Sequence, residues 1–187
     1  MRGSAPLYDM TPTPAALTAE NDRPLVAAAT TDEHALAERA LTIARRTALG
    51  VLGDAEAAAD VAQDVAVLAL RKAGTLRDPA AADAWLHRVA VRAALRHARR
   101  EGKRRAAERA SHEPSLPGRP DPDPASAVQA LFAGLPHRQR AALTLRYVHD
   151  LSDEQIARAL GCRRGAVRSM LSRGRDAIRP ALERTDP

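Results

Sequence analysis

The chain has 187 residues, a formal net charge of +6 and a hydrophobic content of 45%. This length is sufficient for one domain or for two small ones with buried cores. The single cysteine excludes an intrachain disulfide, and no apolar run is long enough for a signal peptide or a membrane span. These features exclude disulfide-rich secreted proteins and membrane-spanning proteins, and they favour a protein of the reducing cytoplasm.

Prolines divide the chain into helical parts. Residues 1–33 are rich in Thr, Pro and Ala without helical periodicity, which predicts a disordered leader. Residues 111–127 are typical of a proline-stiffened linker. Aromatic residues make up only 2% of the chain, and no alternating strand pattern occurs. The sequence therefore predicts an all-α protein with two small helical modules, residues 34–110 and 128–184, joined by a flexible linker.

The first module begins with two amphipathic segments. Residues 34–52 place apolar side chains on one stripe, and residues 55–73 repeat that spacing. On the second segment Asp60, Gln63 and Asp64 fall beside the apolar stripe. Such an acidic flank can dock a basic helix of another protein. The alternative is a solvated face opposite the core, which the residues favour when they are judged alone.

A strongly basic helix follows, which we expect to begin at Trp85 after a loop over residues 76–84. Its outer side is predicted to carry a row of arginines at nearly helical spacing. The members of this arginine row are Arg88, Arg92, Arg96, Arg99 and Arg100, and the basic residues Lys103, Arg104 and Arg105 extend it. Like charges at such spacing destabilise an isolated helix by roughly a few tenths of a kcal/mol per pair, so bound nucleic-acid phosphates would stabilise it. The alternative is an arginine-rich surface that reflects base composition, since arginine outnumbers lysine throughout the chain.

The second module contains the most specific motif, LSDEQIARALGCRRGAVRSMLSRGRDAIR, over residues 151–179. Ser152 and Gln155 have the spacing of a capping box, and Gly161 follows the last apolar position of that helix. This order predicts two helices joined by a sharp turn, as in a helix-turn-helix that reads the DNA major groove. On the second helix Val167 and Leu171 are expected to face inward. The polar side chains left on the other side are Arg164, Arg168, Ser169, Ser172, Arg173 and Arg175.

Arginines on such a helix can bind guanine through two hydrogen bonds or clamp phosphate. The alternative is a basic helix hairpin that faces only solvent. We prefer the helix-turn-helix interpretation because the capping box, the turn glycine and the spacing of the buried positions coincide.

The sequence shows no pattern for catalysis, metal binding or cofactor binding. Its six histidines are scattered without metal-ligand spacing, and it has neither a phosphate-binding glycine loop nor a nucleophile elbow. We therefore expect no catalytic residue, no metal and no cofactor, and histidines that lie at the surface or at helix ends. Two other classes compete: a stand-alone helix-turn-helix repressor or activator, which would need a dimerisation or effector module, and an enzyme that acts on nucleic acid.

In their order along the chain, these motifs resemble a bacterial sigma factor of the sigma-70 family, in its extracytoplasmic-function (ECF) group. The resemblance rests on residues 60–64 (DVAQD), 85–91 (WLHRVAV), 135–140 (LPHRQR) and the helix-turn-helix, and it extends over about residues 34–182. It implies a subunit without catalytic activity that binds core RNA polymerase and directs promoter-specific initiation of transcription. Anti-sigma partners are frequent in the family, so an anti-sigma factor is a candidate partner.

The resemblance also implies a division of labour. In region 2, the first module, Asp60, Gln63 and Asp64 would face the clamp coiled coil of polymerase β′, and the arginine row would handle the −10 promoter element. In region 4, the second module, the recognition helix would read the −35 element and another face would meet the β flap. The residues at its DNA-contacting positions are Arg164, Arg168, Ser169, Ser172 and Arg173, with Arg146 as a phosphate clamp.

Two features depart from the family pattern. Arg92 and Arg96 stand where members commonly carry asparagine or aspartate. The segment over residues 76–84 has no aromatic residue, whereas the corresponding loop of the family normally traps a flipped base. Stacking of a base on an aromatic ring contributes roughly 1–3 kcal/mol. Capture of the −10 element is therefore expected to depend more on backbone and arginine contacts.

Overall fold

The computed structural model of the protein describes residues 31–76, 78–111, 132 and 134–183. In these residues all regular structure is helical, which confirms the predicted fold class. The helices in chain order are α1 (Thr31–Leu52), α2 (Ala55–Lys72), a 3-10 turn (Ala73–Thr75), α3 (Pro79–Ser111), α4 (His137–Tyr147), α5 (Asp153–Leu160) and α6 (Arg164–Leu182). Most of the predicted leader and linker lies outside the described residues. No described helix is both long and apolar enough to cross a membrane.

Helices α1, α2 and α3 form the first module around a core of small side chains. Ala44, Ala58 and Ala90 are completely buried at the contacts between these helices. Small side chains allow helix axes to approach closely. The turn from α1 to α2 is made by Gly53, whose φ is +72°, and by Asp54, whose carboxylate accepts a hydrogen bond from the N–H of Ala57 over 3.0 Å.

Helix α3 begins at Pro79, six residues earlier than predicted, so the expectation of a loop up to residue 84 was wrong. Asp78 explains the earlier start. Its carboxylate accepts a hydrogen bond from the N–H of Ala80 over 3.1 Å, and its carbonyl accepts one from the N–H of Ala82 over 2.8 Å. Proline suits the first position of a helix because its missing N–H would have no partner there.

Helices α4, α5 and α6 form the second module. The predicted capping box is present, with Ser152 Oγ accepting from the N–H of Gln155 over 3.3 Å and Gln155 Oε1 accepting from the N–H of Ser152 over 2.8 Å. Helix α5 ends at Gly161, which has a φ of +62° and turns the chain into α6. The helix-turn-helix predicted from residues 151–179 is therefore confirmed in its start, its turn and its second helix.

The two modules are packed directly against each other. Helix α1 contacts α4, and α3 contacts both α4 and α5. Buried side chains of both modules form one continuous hydrophobic cluster. The sequence predicts two modules joined by a linker, and the structure adds an extensive interface between them.

Candidate nucleic-acid interface

The outer face of α6 carries the side chains that the sequence assigns to DNA reading. Val167 and Leu171 point into the module, with 0% and 4% of their surface exposed. The assigned side chains are exposed at Arg164, Arg168, Ser172, Arg173 and Arg175, and Ser169 is half-buried. Helix α6 therefore presents a basic face to solvent.

Two of the arginines assigned to DNA share one carboxylate. Arg146, in the last turn of α4, donates to Oδ1 of Asp153, and Arg168 Nε on α6 donates to Oδ2 over 3.3 Å. The side chain of Asp153 is 23% exposed, whereas that of Arg168 is 66% exposed. Each guanidinium has five N–H donors, so both arginines keep donors that a DNA phosphate or base could use.

The arginine row on α3 is exposed at each of its five members, Arg88, Arg92, Arg96, Arg99 and Arg100. Within the described residues none of them forms an ion pair. Further along α3 the situation differs, because Arg104 and Arg105 bind Glu101 over 2.7 and 2.9 Å. Those hydrogen bonds lower the pKa of Glu101 to about 2. The row itself is therefore available to a polyanion, whereas Arg104 and Arg105 are already paired with an acidic side chain of their own helix.

Helix α2 carries the acidic flank. Val61 and Val65 are buried, with 4% and 1% of their surface exposed. Asp60, Gln63 and Asp64 lie on the exposed side of the same helix. Neither carboxylate forms an ion pair within the part of the chain that the structure describes. Both remain free for a basic partner.

Sequence reasoning missed a polar contact between the modules. Thr47 on α1 is completely buried, and its hydroxyl donates to the carbonyl of Ile43 over 2.8 Å. The hydroxyl oxygen lies 2.9 Å from Nε2 of His149, which follows α4. Because the single hydroxyl proton of Thr47 is already donated, Nε2 of His149 is the donor in this contact. The ring of His149 also meets that of His87 on α3 edge to face, with 4.6 Å between ring centroids.

Burial favours the neutral form of both histidines. Burial lowers the pKa of His149 to about 4, and the nearby His87 and Arg46 act in the same direction. Burial also lowers the pKa of His87, although Asp83 opposes that effect. Nδ1 of His87 is buried and has no hydrogen-bond partner among the described residues. The expectation that every histidine lies at the surface or at a helix end was wrong for His87, which lies inside α3 at the module interface.

Comparisons with known proteins identify these modules. Residues 36–104 match the family model of sigma-70 region 2, and residues 125–178 match that of sigma-70 region 4. The RNA polymerase sigma-H factor of Pseudomonas aeruginosa is 32% identical over 145 residues, which are 70% of this chain and 75% of that protein. The chain belongs to the sigma-70 family of RNA polymerase sigma factors. Members of this family are transcription initiation factors and not catalysts.

Within the family, the chain is a sigma factor of the ECF group. It is 36% identical to the ECF RNA polymerase sigma factor SigM of Mycobacterium tuberculosis over 120 residues, which are 64% of this chain and 61% of SigM. The region 2 match covers α2 and most of α1 and α3, and the region 4 match covers α4, α5 and most of α6. These matches confirm the resemblance to a sigma factor that the sequence motifs indicate.

Two solved structures share the fold of this sigma factor. The sigma factor RpoE of Bartonella quintana, solved with the anti-sigma factor NepR, has a TM-score of 0.66 at 23% identity, covering 82% of this chain and 98% of its own. CnrH, solved with the cytosolic domain of CnrY, has a TM-score of 0.52 at 22% identity, covering 83% of this chain and 99% of its own.

Proposed function

We propose that this sigma factor binds core RNA polymerase through the acidic flank of α2 and directs it to promoters through two basic surfaces, with α3 on the −10 element and α6 on the −35 element. The observation that carries this proposal is the presence of three exposed faces on the helices of a sigma-70 fold, one acidic and two basic. Because these faces point to solvent and have free charges, each can accept a partner of opposite charge.

Polymerase docking is assigned to Asp60, Gln63 and Asp64. The buried valines on the other side of α2 fix these three side chains on one exposed face. The β′ clamp coiled coil is the partner that the family implies for this face, and the β flap is the partner implied for region 4. Two free carboxylates and an amide suit a basic helical surface, and their contribution should fall with ionic strength.

Reading of the −35 element is assigned to the outer face of α6. The residues proposed to contact DNA there are Arg146, Arg164, Arg168, Ser169, Ser172 and Arg173. An arginine that binds guanine through two hydrogen bonds contributes about 1–3 kcal/mol of discrimination. The remaining contacts go to phosphates, and these set the register of the helix in the groove.

Engagement of the −10 element is assigned to the arginine row of α3. Its unpaired guanidiniums suit the phosphates of either duplex or melted DNA. The connection between α2 and α3 is short and without an aromatic residue. We therefore propose that arginine and backbone contacts take the place of a stacked base.

Three further properties go with this proposal. The chain is a non-enzymatic subunit, since catalysis belongs to the polymerase, and it acts in the cytoplasm, where the polymerase is. An anti-sigma factor is a candidate regulator. The two structural neighbours support this last point, because each is described in complex with such a partner or with a cytosolic domain.

Run-off transcription with purified core polymerase and a library of genomic promoter fragments tests the function. We expect initiation at a defined set of fragments only when the sigma factor is present. Specific DNA binding by the protein alone, with no initiation and no binding to core polymerase, would instead support a stand-alone repressor or activator.

The docking face is tested separately with an Asp60→Asn/Asp64→Asn variant. Its affinity for core polymerase is expected to fall by about tenfold, which corresponds to about 1.4 kcal/mol. The matched control is Glu38→Gln/Glu108→Gln, which removes two exposed carboxylates from α1 and α3 and leaves α2 intact. Equal affinities of the two variants would contradict the assignment of α2.

A further inference from the structure

We infer that Arg138 is a positioning residue for the reading of the −35 element, because it holds the turn of the helix-turn-helix from α4 and thereby sets the angle at which α6 meets DNA. This inference deepens the proposed function and rests on it. Two arginines of α4 carry it, since each binds one end of α5. Arg146 is one of the residues proposed to contact DNA, and Arg138 is not.

The first contact lies at the end of α5, where the chain turns toward α6. A guanidinium nitrogen of Arg138, in the first turn of α4, donates to the carbonyl of Leu160 over 3.1 Å. Leu160 is the last residue of α5. The last carbonyls of a helix lack partners within the helix, and the negative end of the helix dipole favours a cation there. Arg138 thus supplies both a hydrogen-bond donor and a positive charge to this helix end.

The second contact lies at the start of the same helix. Arg146, in the last turn of α4, donates to the carboxylate of Asp153, which is the first residue of α5. Arg138 and Arg146 are eight positions apart, and Asp153 and Leu160 are seven positions apart. These spacings correspond to about 12 Å and about 10.5 Å along a helix axis. Because the two lengths match and the helices run in opposite directions, α4 holds α5 at both ends.

The turn that follows α5 is only three residues long. Gly161 has a φ of +62°, and the N–H of Cys162 donates to the carbonyl of Ala157 over 3.0 Å. The third residue, Arg163, makes no capping hydrogen bond with its side chain within the part of the chain that the structure describes. The first turn of α6 is therefore not fixed by a cap of its own. Its direction depends on packing and on how firmly the preceding turn is held.

A change at this turn would reach the side chains proposed to read DNA. These begin at Arg164, the first residue of α6, and the helix carries them as one body. Two-point binding of guanine requires the planar guanidinium of an arginine to meet the base edge at a defined angle. A small rotation of α6 should therefore weaken base recognition more than it weakens contacts with phosphates.

Direct contact with a DNA phosphate is the alternative role for Arg138. The residue is exposed, and it forms no ion pair within the described residues. Its guanidinium also has further N–H donors besides the one that binds Leu160. A phosphate contact and a positioning role differ in their effect on salt dependence, because only the former releases counterions from DNA.

Arg138→Met is the direct test, in holoenzyme reconstituted from core polymerase and the sigma factor. We expect the ratio of affinities for a promoter fragment and for a fragment with a scrambled −35 element to fall about fivefold, the scale of one hydrogen bond to a charged group. The slope of log K against log salt should not change. If both affinities instead fell alike and the slope became shallower by about 0.9, Arg138 would be a phosphate contact and the inference would be overturned.

Two further variants serve as controls. Arg158→Met removes the same charge from α5, where Arg158 pairs with Glu154 of its own helix over 2.8 Å, and its ratio should stay near that of the wild type. Arg138→Lys keeps a cation and an N–H donor, so it should restore most of the ratio. A loss of folding stability alone lowers the folded fraction and both affinities together, which leaves the ratio unchanged. Equal ratios for Arg138→Met and Arg158→Met would exclude the positioning role.

The thiol of Cys162 gives a second measurement that needs no DNA. It is the only cysteine of the chain, and it lies half-buried in the turn. Its rate of reaction with an aromatic disulfide reagent rises with its exposure. A looser turn in Arg138→Met should raise this rate by about threefold or more, whereas Arg158→Met and Arg138→Lys should react like the wild type. A wild-type rate in Arg138→Met would show that the turn is held without this arginine and would overturn the inference.

The two measurements separate this inference from the proposed function. If wild-type holoenzyme does not distinguish the promoter fragment from the scrambled one, the assignment of α6 to the −35 element is wrong, and the thiol reaction still decides whether Arg138 holds the turn. If the wild type discriminates and Arg138→Met discriminates equally well, the positioning role is wrong and the assignment of α6 stands.

Discussion

The guanidinium of Arg168 donates a hydrogen bond to the carboxylate of Asp153 over 3.3 Å, across the turn of the helix-turn-helix. The other oxygen of this carboxylate accepts from Arg146 at the end of α4. One acidic side chain thus orients two arginines that are proposed to touch DNA. Orientation matters here because two-point recognition of guanine requires the planar guanidinium to meet the base edge at a defined angle.

We expect Asp153→Asn to lower the discrimination between promoter DNA and other DNA, with only a small loss of folding stability. Both ion pairs of Asp153 are partly exposed on the arginine side, by 66% at Arg168 and 30% at Arg146. Asparagine also keeps an oxygen that can accept from them, so the substitution should cost at most about 1 kcal/mol of folding free energy. Removing a negative charge from a DNA-facing surface should strengthen general DNA binding, while the looser Arg168 should lower the ratio of specific to non-specific affinity by up to about tenfold. Competition titrations with a promoter fragment and a fragment with a scrambled −35 element measure this ratio.

The control for this prediction is Glu154→Gln. Glu154 lies next to Asp153 on α5 and pairs with Arg158 of the same helix over 2.8 Å, so the substitution removes the same charge without touching Arg146 or Arg168. Its discrimination should stay near that of the wild type. If Asp153→Asn and Glu154→Gln gave the same ratio, the positioning role of Asp153 would be excluded.

The arginine row should be visible in the salt dependence of promoter binding. Every DNA phosphate that a protein cation neutralises steepens the plot of log K against log salt by about 0.9. We expect Arg96→Ala to make the slope shallower by about that amount, because Arg96 is exposed and unpaired within the described residues. Arg105→Ala is the comparison on the same helix, since Arg105 is held by Glu101 over 2.9 Å. Equal changes of slope in both variants would contradict the special role of the row.

The sequence predicted those parts of the fold that depend on local signals. The capping box of Ser152 and Gln155 and the left-handed turn at Gly161 are decided by residues a few positions apart, so they could be placed within one residue. The start of α3 had an equally local signal in Asp78 followed by Pro79, but the predicted helix began only at Trp85, where the large apolar side chains begin. The alanine-rich residues 80–84 show no apolar periodicity, so the pattern did not include them.

The interface between the modules could not be predicted in this way. Thr47 and His149 are 102 positions apart, and neither residue type signals the other. Gly50 appears in the sequence as a weak point of an amphipathic helix, and only the packing against Thr144 gives it a role. The exposed faces were predictable because helical periodicity separates buried from solvated positions, whereas the docking of two completed modules depends on shape.

Packing inside region 4 predicts a contrast between two glycines of α6. A Cβ at Gly174 would lie 2.9 Å from Cδ1 and 3.2 Å from Cγ of Leu143, which is 1% exposed. Overpacking of this kind typically costs about 1–3 kcal/mol, so we expect Gly174→Ala to lower the free energy of unfolding by that amount. At Gly165 a Cβ would meet nothing within 4 Å, and Gly165→Ala should be neutral or stabilising by up to about 1 kcal/mol. Urea titration followed by circular dichroism measures both, and a stabilised Gly174→Ala would show that α4 and α6 are farther apart than described.

Docking of the modules should weaken in acid. His149 has an ordinary pKa near 6.5 when exposed, and burial lowers it to about 4 in the docked state. The docked state therefore prefers the neutral ring, so its stability is complete above about pH 6.5 and is lost as the pH falls toward 4. The charged and titratable groups around the ring are His87 and Asp83 on α3, Arg46 on α1, and Asp150, Arg88 and Arg158 along the neighbouring cleft.

Scattering between pH 7.5 and 4.5 measures this effect, with an increase of the radius of gyration expected on acidification. His149→Gln keeps an N–H that can donate to Thr47 but removes the titration, so its expansion should be smaller in the same interval. His34→Gln is the matched control, because His34 is 74% exposed on α1 and, among the described residues, pairs with Glu38 of the same helix. If His149→Gln and His34→Gln expanded alike, the acid response would come from groups other than the histidine at the interface, since protonation of His149 would then make no difference to docking.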